Sequence, residues 1–403
     1  MKVLNLLNLL LVVSSSLLLA NEKNSSLDSY ISENKNKQFG YDYQKSEAEG
    51  SKLRDSWIAP LNASYSYSKS NPYNSTQVSE NAAIKMDQPI FQSGGIYYGV
   101  KFAQASKIYS DYSIDVAKRK LIKDAISLLM QIKQTDLRIS KQKYMIKNSE
   151  INLALKKEQY LSGQLDSGFL DNAVIERNSI IQALYDIETS KERLISTFST
   201  ISDLSYESAS VPHLELLSKD EFIKNNIVLK MSESQIEKNR YNKNVTIAKY
   251  LPRVSFIAGY NWSKSDSQFN FGTPEKEYHD YGVRVNMPID LNTFRDIESS
   301  RVDYLKSEIV AEDKQKELNA LFEQVVQNIE NLDKKSSLSL ENIDIYEKLL
   351  TDTRDLYTAG YKTEYDVQTL ENSVAISELD SKIFEIDKQL ELLSLYEMYV
   401  NGK

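Results

Sequence analysis

Between Tyr97 and Leu204 the chain contains no Pro, and beyond Gly99 its only Gly residues, Gly163 and Gly168, fall in one short cluster, QYLSGQLDSGFLDNA. Apolar residues recur at helical spacing on both sides, as Leu121, Ala125, Leu128 and Ile132 do before the cluster. The pattern predicts one very long helix, a turn and a returning helix. The first arm, Tyr97 to Ser162, extends ~100 Å at ~1.5 Å per residue. A typical small domain is only ~30 Å across, so the arm predicts a projecting hairpin rather than part of a globule.

The hairpin occurs twice. From Phe294 to Tyr399 there is again no Pro and one Gly, Gly360, in DLYTAGYKTEYDVQ. Both turns read Tyr-x-x-Gly and then Asp: Tyr160, Gly163 and Asp171, then Tyr357, Gly360 and Asp366. The two Gly residues lie 197 positions apart. Each hairpin follows a Pro-bearing segment, MDQPIFQSGG at Pro89 and VNMPIDLNTF at Pro288, 199 apart. Further upstream, Pro60 and Pro252 are 192 apart. Three landmarks in one order at nearly one offset indicate an internal duplication. The expected domains are a signal peptide over 1–20, a first repeat over 21–208 and a second over 209–403. Each repeat reads as short helix, strand, loop, strand and long helical hairpin, the two short helices being 41–56 and 219–249.

The period changes at the strands. Leu61, Ala63, Tyr65 and Tyr67 alternate with Asn62, Ser64, Ser66 and Ser68, then Ala82, Ile84, Met86 and Gln88 with Ala83, Lys85 and Asp87. In the second repeat Val254, Phe256, Ala258, Tyr260 and Trp262 alternate with Ser255, Ile257, Gly259, Asn261 and Ser263, and Tyr281, Val283, Val285 and Met287 with Gly282, Arg284 and Asn286. Every strand thus pairs an apolar face with a polar one, and each approaches the ~9–11 residues of a tilted membrane-crossing strand. Ser93, Gly94 and Gly95 permit a sharp bend into the first long helix.

Composition sets further bounds. Lys2 followed by VLNLLNLLLVVSSSLLLA, ending at the small Ala20, reads as a secretory signal peptide. The absence of Cys excludes disulfides, a thiolate metal site, a Cys nucleophile and a lipid anchor on an N-terminal Cys. The two His residues, His213 and His279, read as polar surface residues in different loops, with no metal-ligand spacing about them. A net charge of −8 argues against a nucleic-acid surface. No phosphate loop, nucleophile–base pair or cofactor motif appears, so neither catalysis nor a cofactor is expected.

A secretory signal and two copies of strand, strand, QPIFQSGG-like bend and long hairpin with YxxGxxxxxD at the tip together resemble the TolC-like outer-membrane efflux proteins. The resemblance covers about residues 25–403. It implies a mixed α/β membrane protein: a homotrimer with a twelve-stranded transmembrane β-barrel and a periplasmic α-helical tunnel, in the outer membrane of a Gram-negative envelope. It also implies two partners, a periplasmic adaptor (membrane fusion protein) and an inner-membrane transporter of RND, ABC or MFS type, for efflux or type I secretion. Elementary chemistry agrees with oligomerisation. Four strands do not close into a barrel, and open edges facing lipid leave N–H and C=O groups without partners. Three chains give an even strand number within the known range. In the last arm Ile376, Leu379, Ile383, Ile386, Leu390 and Leu393 step by 3 and 4, a heptad seam suited to lateral packing.

The resemblance also places a site. In that family the second hairpin's turn coils inward to close the tunnel, and an Asp ring lines the constriction. Asp366 stands at that position, and Thr369 replaces the family's second Asp. Tyr357 and Lys362 match an aromatic and a basic residue that hold the closed state, with Asp171, or else Asp166, as the partner of Lys362. Helix capping is the alternative role for Asp171 and Asp366. The tips, Gly163 and Gln164 with Gly360 and Tyr361, are where the adaptor docks. Val283, Val285 and Met287 are expected to face outer-membrane lipid. The competing readings are a pore-less periplasmic coiled-coil adaptor, from which four amphipathic strands distinguish the duct, and a surface adhesin.

Overall fold

The computed structural model describes residues 27–71, 76–266 and 275–400. The predicted signal peptide, residues 21–26 and the centres of both strand–strand loops lie outside them. After a 3-10 turn at Asp28–Tyr30 the order is α1 (Glu33–Arg54), β1 (Asn62–Ser70), β2 (Gln77–Phe91), α2 (Gly95–Leu161) and α3 (Ser167–Ile201). It continues with α4 (Lys219–Lys224), α5 (Ile227–Lys249), β3 (Arg253–Asp266), β4 (Glu275–Asn286), α6 (Thr293–Thr358) and α7 (Glu364–Tyr396).

The long arms are continuous: α2 has 67 residues and α6 has 66, each ~100 Å at ~1.5 Å per residue. The four helices lie side by side as α3-α2-α7-α6, with α1 along α2 and α5 bridging α2 and α6. The strands form one antiparallel sheet in the order β1-β2-β3-β4. Ser93 and Gly94 take positive φ, 49° and 87°, and turn the chain from β2 into α2. The Ser93 hydroxyl donates to the Pro252 carbonyl at 2.8 Å, tying that bend to the foot of β3.

Two apolar cores sit partway along the helices. In one, Ile122, Ile126, Leu129 and Met130 of α2 meet Tyr30, Ile31, Phe198 and Leu393. In the other, Leu318, Phe322 and Val325 of α6 meet Phe222, Leu392 and Leu395. Ile122, Ile126 and Leu129 lie 196 positions before Leu318, Phe322 and Val325, so the duplication extends to core packing. The seam of α7 points to the first core through Ile386, Leu390 and Leu393, while Leu392 and Leu395 serve the second.

Several expectations need correction. The first short helix begins at Glu33, not 41, because the Ser32 side chain caps it by accepting from the Lys35 N–H. The expected helix 219–249 is two helices, because Asn225 and Asn226 turn aside to bond the C-terminal segment. Ile227 N–H donates to the Met398 carbonyl at 2.9 Å and Val400 N–H to the Asn225 carbonyl at 3.0 Å. β2 continues past Pro89 to Phe91 through an irregularity in its pairing with β3. His279 lies in β4 opposite Tyr260, not in a loop.

Candidate functional site

The sheet separates its faces along every strand. Cross-strand rows on one face read Ala63–Ile84–Tyr260–His279, Met86–Ala258–Tyr281, Gln88–Phe256–Val283 and Phe91–Val254–Val285. On the other face the rows are Ser64–Ala83–Asn261–Tyr278, Lys85–Gly259–Asp280 and Asp87–Ile257–Gly282. Tyr281, Val283, Val285 and Met287 are exposed; Val285 retains 69% of its surface. Such a band suits a hydrocarbon solvent. The opposite face carries Lys85, Asp87, Arg253, Lys276, Asp280 and Arg284, while the charges of the apolar face, Lys69, Glu80, Lys264, Glu275 and Glu277, gather at the end of the sheet away from the helices. On that polar face Arg284 donates to Asp87 Oδ2 at 2.8 Å, reaching across β3. The sheet order leaves β1 and β4 at the edges, each with one side of its backbone lacking a strand partner among the described residues. No helix among the described residues is long and apolar enough to cross a membrane.

The two tips are built alike. Gly163 (φ 72°) and Gly360 (φ 82°) occupy the left-handed region, where a side chain costs roughly 1–2 kcal/mol. Gly163 N–H bonds the Tyr160 carbonyl and Gln164 N–H the Gln159 carbonyl; Gly360 N–H bonds the Tyr357 carbonyl and Tyr361 N–H the Leu356 carbonyl. Both are the paired closure that ends a helix on a left-handed Gly. The returning helix is capped three residues later in each case, by Asp166 in the first hairpin and Thr363 in the second. The tips are therefore of equal length. Phe169, not Asp171, occupies the place of Asp366, and Asp171 lies exposed further along α3.

Asp366 belongs to a capping box with Thr363, whose N–H donates to Asp366 Oδ2 at 2.9 Å. That backbone bond is the main cause holding the carboxyl below its usual range, with Lys362 adding to it. Lys362 Nζ stands 3.8 Å from Asp366 Oδ1 in the same turn. Within one chain Lys362 pairs with neither Asp171 nor Asp166; the Asp166 side chain accepts from the Gly168 N–H at 2.8 Å. The Tyr357 ring is 46% exposed and Tyr361 81%, and Leu161 and Phe169 are also exposed, so the two tips together present an apolar and aromatic surface.

Above the tips a ladder of polar pairs joins α2 to α7. Gln134 donates to Asp387 at 2.6 Å, Lys141 pairs with Asp380 at 2.6 Å, and Asn372 donates to Asn148 at 2.8 Å. Gln134, Lys141 and Asn148 repeat every seven residues, a spacing visible in the sequence that hydrophobic reading passes over. The ladder fastens the second hairpin to the first. Among the described residues no group of His, Cys, Asp or Glu could hold a metal ion.

A family model described as outer membrane efflux protein matches residues 220–396. No curated protein sequence matches the chain. Among solved structures, the chain is similar to the outer membrane protein VceC of Vibrio cholerae at 14% identity and a TM-score of 0.70, covering 90% of this chain and 93% of that one. It is similar to the CmeC outer membrane channel of Campylobacter jejuni at 12% identity and a TM-score of 0.71, covering 95% and 90%. A third similar structure is CusC, described for the conformational changes that accompany its folding and transmembrane channel formation, at 13% identity and a TM-score of 0.70, covering 94% and 91%. At these identities the likeness establishes the fold.

Proposed function

We infer the function from one premise: the second half of the chain carries the outer membrane efflux protein domain, and the whole chain has the fold of the outer-membrane efflux channels. The protein is an exit duct of the outer membrane, passing substrates through a periplasmic tunnel to the exterior. The observation that carries this reading is an open-edged sheet with one apolar and one charged face, joined to helices ~100 Å long. Such a sheet is stable in lipid only when closed.

The finer assignments build on that duct. Residues 1–20 are a signal peptide, and 21–208 and 209–403 are the two repeats. Three chains close the barrel, β4 of one meeting β1 of the next, while α6 packs on the neighbour's α3. Exposed apolar residues near the tip on α6 (Ile345, Leu349) and, at the same height, on α3 (Val174, Ile175) support that contact. The tips around Gly163, Gln164, Gly360 and Tyr361 receive a periplasmic adaptor, and an inner-membrane transporter supplies the energy, the duct itself catalysing nothing. Asp366 lines a constriction held closed by Tyr357 and Lys362, with Asp171 of a neighbouring chain within the same ring.

The oligomer is tested by the mass of the protein extracted in detergent, corrected for bound detergent. Three chains per particle are expected. A monomer that stays in aqueous solution with native circular dichroism contradicts the reading.

A further inference from the structure

The charged face of the sheet has a sign of its own. Lys85, Arg253, Lys276 and Arg284 lie on it, against Asp87 and Asp280. Two positive charges are in excess, on a chain whose net charge is −8. Both acids are drawn against the wall. Asp87 accepts from Arg284 at 2.8 Å. Asp280 accepts from Asn261 at 2.7 Å, its carboxylate lying over Gly259, where a Cβ would meet it at 2.7 Å. Lys85, Arg253 and Lys276 have no ion-pair partner among the described residues. The opposite, lipid-side face carries Lys69 and Lys264 against Glu80, Glu275 and Glu277 on the same strands, so the basic excess is confined to one face.

We propose that the lumen of the barrel is electropositive and gives the exit end of the duct a preference for anions. The proposal rests on the reading of the chain as a barrel-forming duct and adds the charge class of solute that its outer segment favours. Twelve strands ~4.8 Å apart and tilted by ~40° enclose a radius of roughly 12 Å. Long Lys and Arg side chains projecting inward bring their charges closer to the axis than the ~10 Å Debye length at 0.1 M salt. A solute on the axis therefore feels every copy of the ring. Focusing by low-dielectric walls raises the local concentration of counter-ions. The inner constriction offers the opposite sign through Asp366, so the two ends of the duct select differently.

The test is a planar-bilayer recording of the full-length protein in a KCl gradient, with citrate then added to the barrel side alone. Wild type is expected to show block by barrel-side citrate. Lys85→Gln with Lys276→Gln is expected to lose that block and to shift the reversal potential toward potassium, with the particle mass in detergent unchanged. Asp280→Asn is expected to shift the reversal potential toward chloride and keeps the proposal testable if the double variant fails to assemble. Channels whose reversal potential and citrate block ignore all of these changes overturn the proposal and leave the duct standing. Absence of any conductance in wild type overturns the duct itself.

Discussion

Thr363 and Asp366 hold each other at the start of α7: the Thr363 N–H donates to Asp366 Oδ2 at 2.9 Å, and the Asp366 N–H donates to Thr363 Oγ1 at 3.3 Å. In the proposed duct the cap and the constriction share one carboxylate, and the two roles separate by mutation. Thr363→Ala removes the hydroxyl and keeps the charge, and is expected to cost the first turn of α7 about 1 kcal/mol. Hydrogen exchange there should quicken roughly fivefold, by the same ~1 kcal/mol, with ion selectivity unchanged. Asp366→Asn should weaken cation selectivity and block by multivalent cations. Equal effects of both changes on selectivity would reduce Asp366 to a capping residue.

The same bond gives a pH dependence. The Asp366 carboxyl is held low chiefly by the Thr363 N–H. A depressed folded pKa stabilises above the unfolded value of ~3.9 and loses that stabilisation as pH falls through the folded value. The start of α7 should therefore show unchanged hydrogen-exchange protection from neutral pH down to about pH 5 and lose protection below about pH 4, after correction for the intrinsic rate. A loss centred near neutrality would point to another group.

In the proposed gate, closure of the tip rests on weak contacts. The Lys362–Asp366 pair is half-exposed at 3.8 Å, and such pairs contribute about 0–1 kcal/mol. Lys362→Ala with Tyr357→Phe is expected to raise single-channel conductance while leaving the yield of trimer unchanged. A fall in trimer yield with unchanged conductance would make these residues assembly contacts.

The sheet register predicts a sharp difference between the faces. Tyr281 lies on the apolar face and Asn286 on the charged one. An Arg facing lipid near the midplane costs ~2–4 kcal/mol. Tyr281→Arg, midway along β4, should impair insertion, measured as heat-resistant trimer in the membrane fraction, whereas Asn286→Arg should assemble and change conductance. Equal tolerance would contradict the assignment of the faces.

Asn226 is fully buried and ends the turn between α4 and α5, accepting from the N–H groups of Val228 at 2.9 Å and Leu229 at 3.2 Å. Asn226→Ala should destabilise by ~1 kcal/mol, seen as a lower melting temperature in detergent, and Asn226→Ser should recover part of it. An Ala variant that melts with wild type would show that the break in the helix does not depend on this cap.

Local signals carried much of the fold. Pro-free runs with the Leu121–Ile132 period announced α2, and alternation through Val283 and Val285 announced β4, because each rests on residues close in sequence. The break at Asn226 has a local part, the Asn226 cap that Asn225–Asn226 offers in the sequence, and a distant part, the pairing with Met398–Val400, which residues 219–249 alone do not reveal. At the tips, the left-handed Gly163 and Gly360 were legible and the register after them was not. Matching Asp171 to Asp366 by residue type passed over the caps, Asp166 and Thr363, which fix where each helix restarts. The ladder from Gln134 to Asn148 was present as a seven-residue repeat, but polar pairs are chosen by the facing helix, which one strand of sequence does not reveal.

The central claim is that this chain forms a pore, and single-channel recording in planar bilayers tests it most directly. Detergent-purified protein lacking residues 1–20 should insert as discrete, long-lived conducting units, each corresponding to one three-chain particle. Protein that binds the bilayer or remains in solution without ever producing discrete current steps, in wild type and in the Lys362→Ala, Tyr357→Phe variant alike, would contradict it.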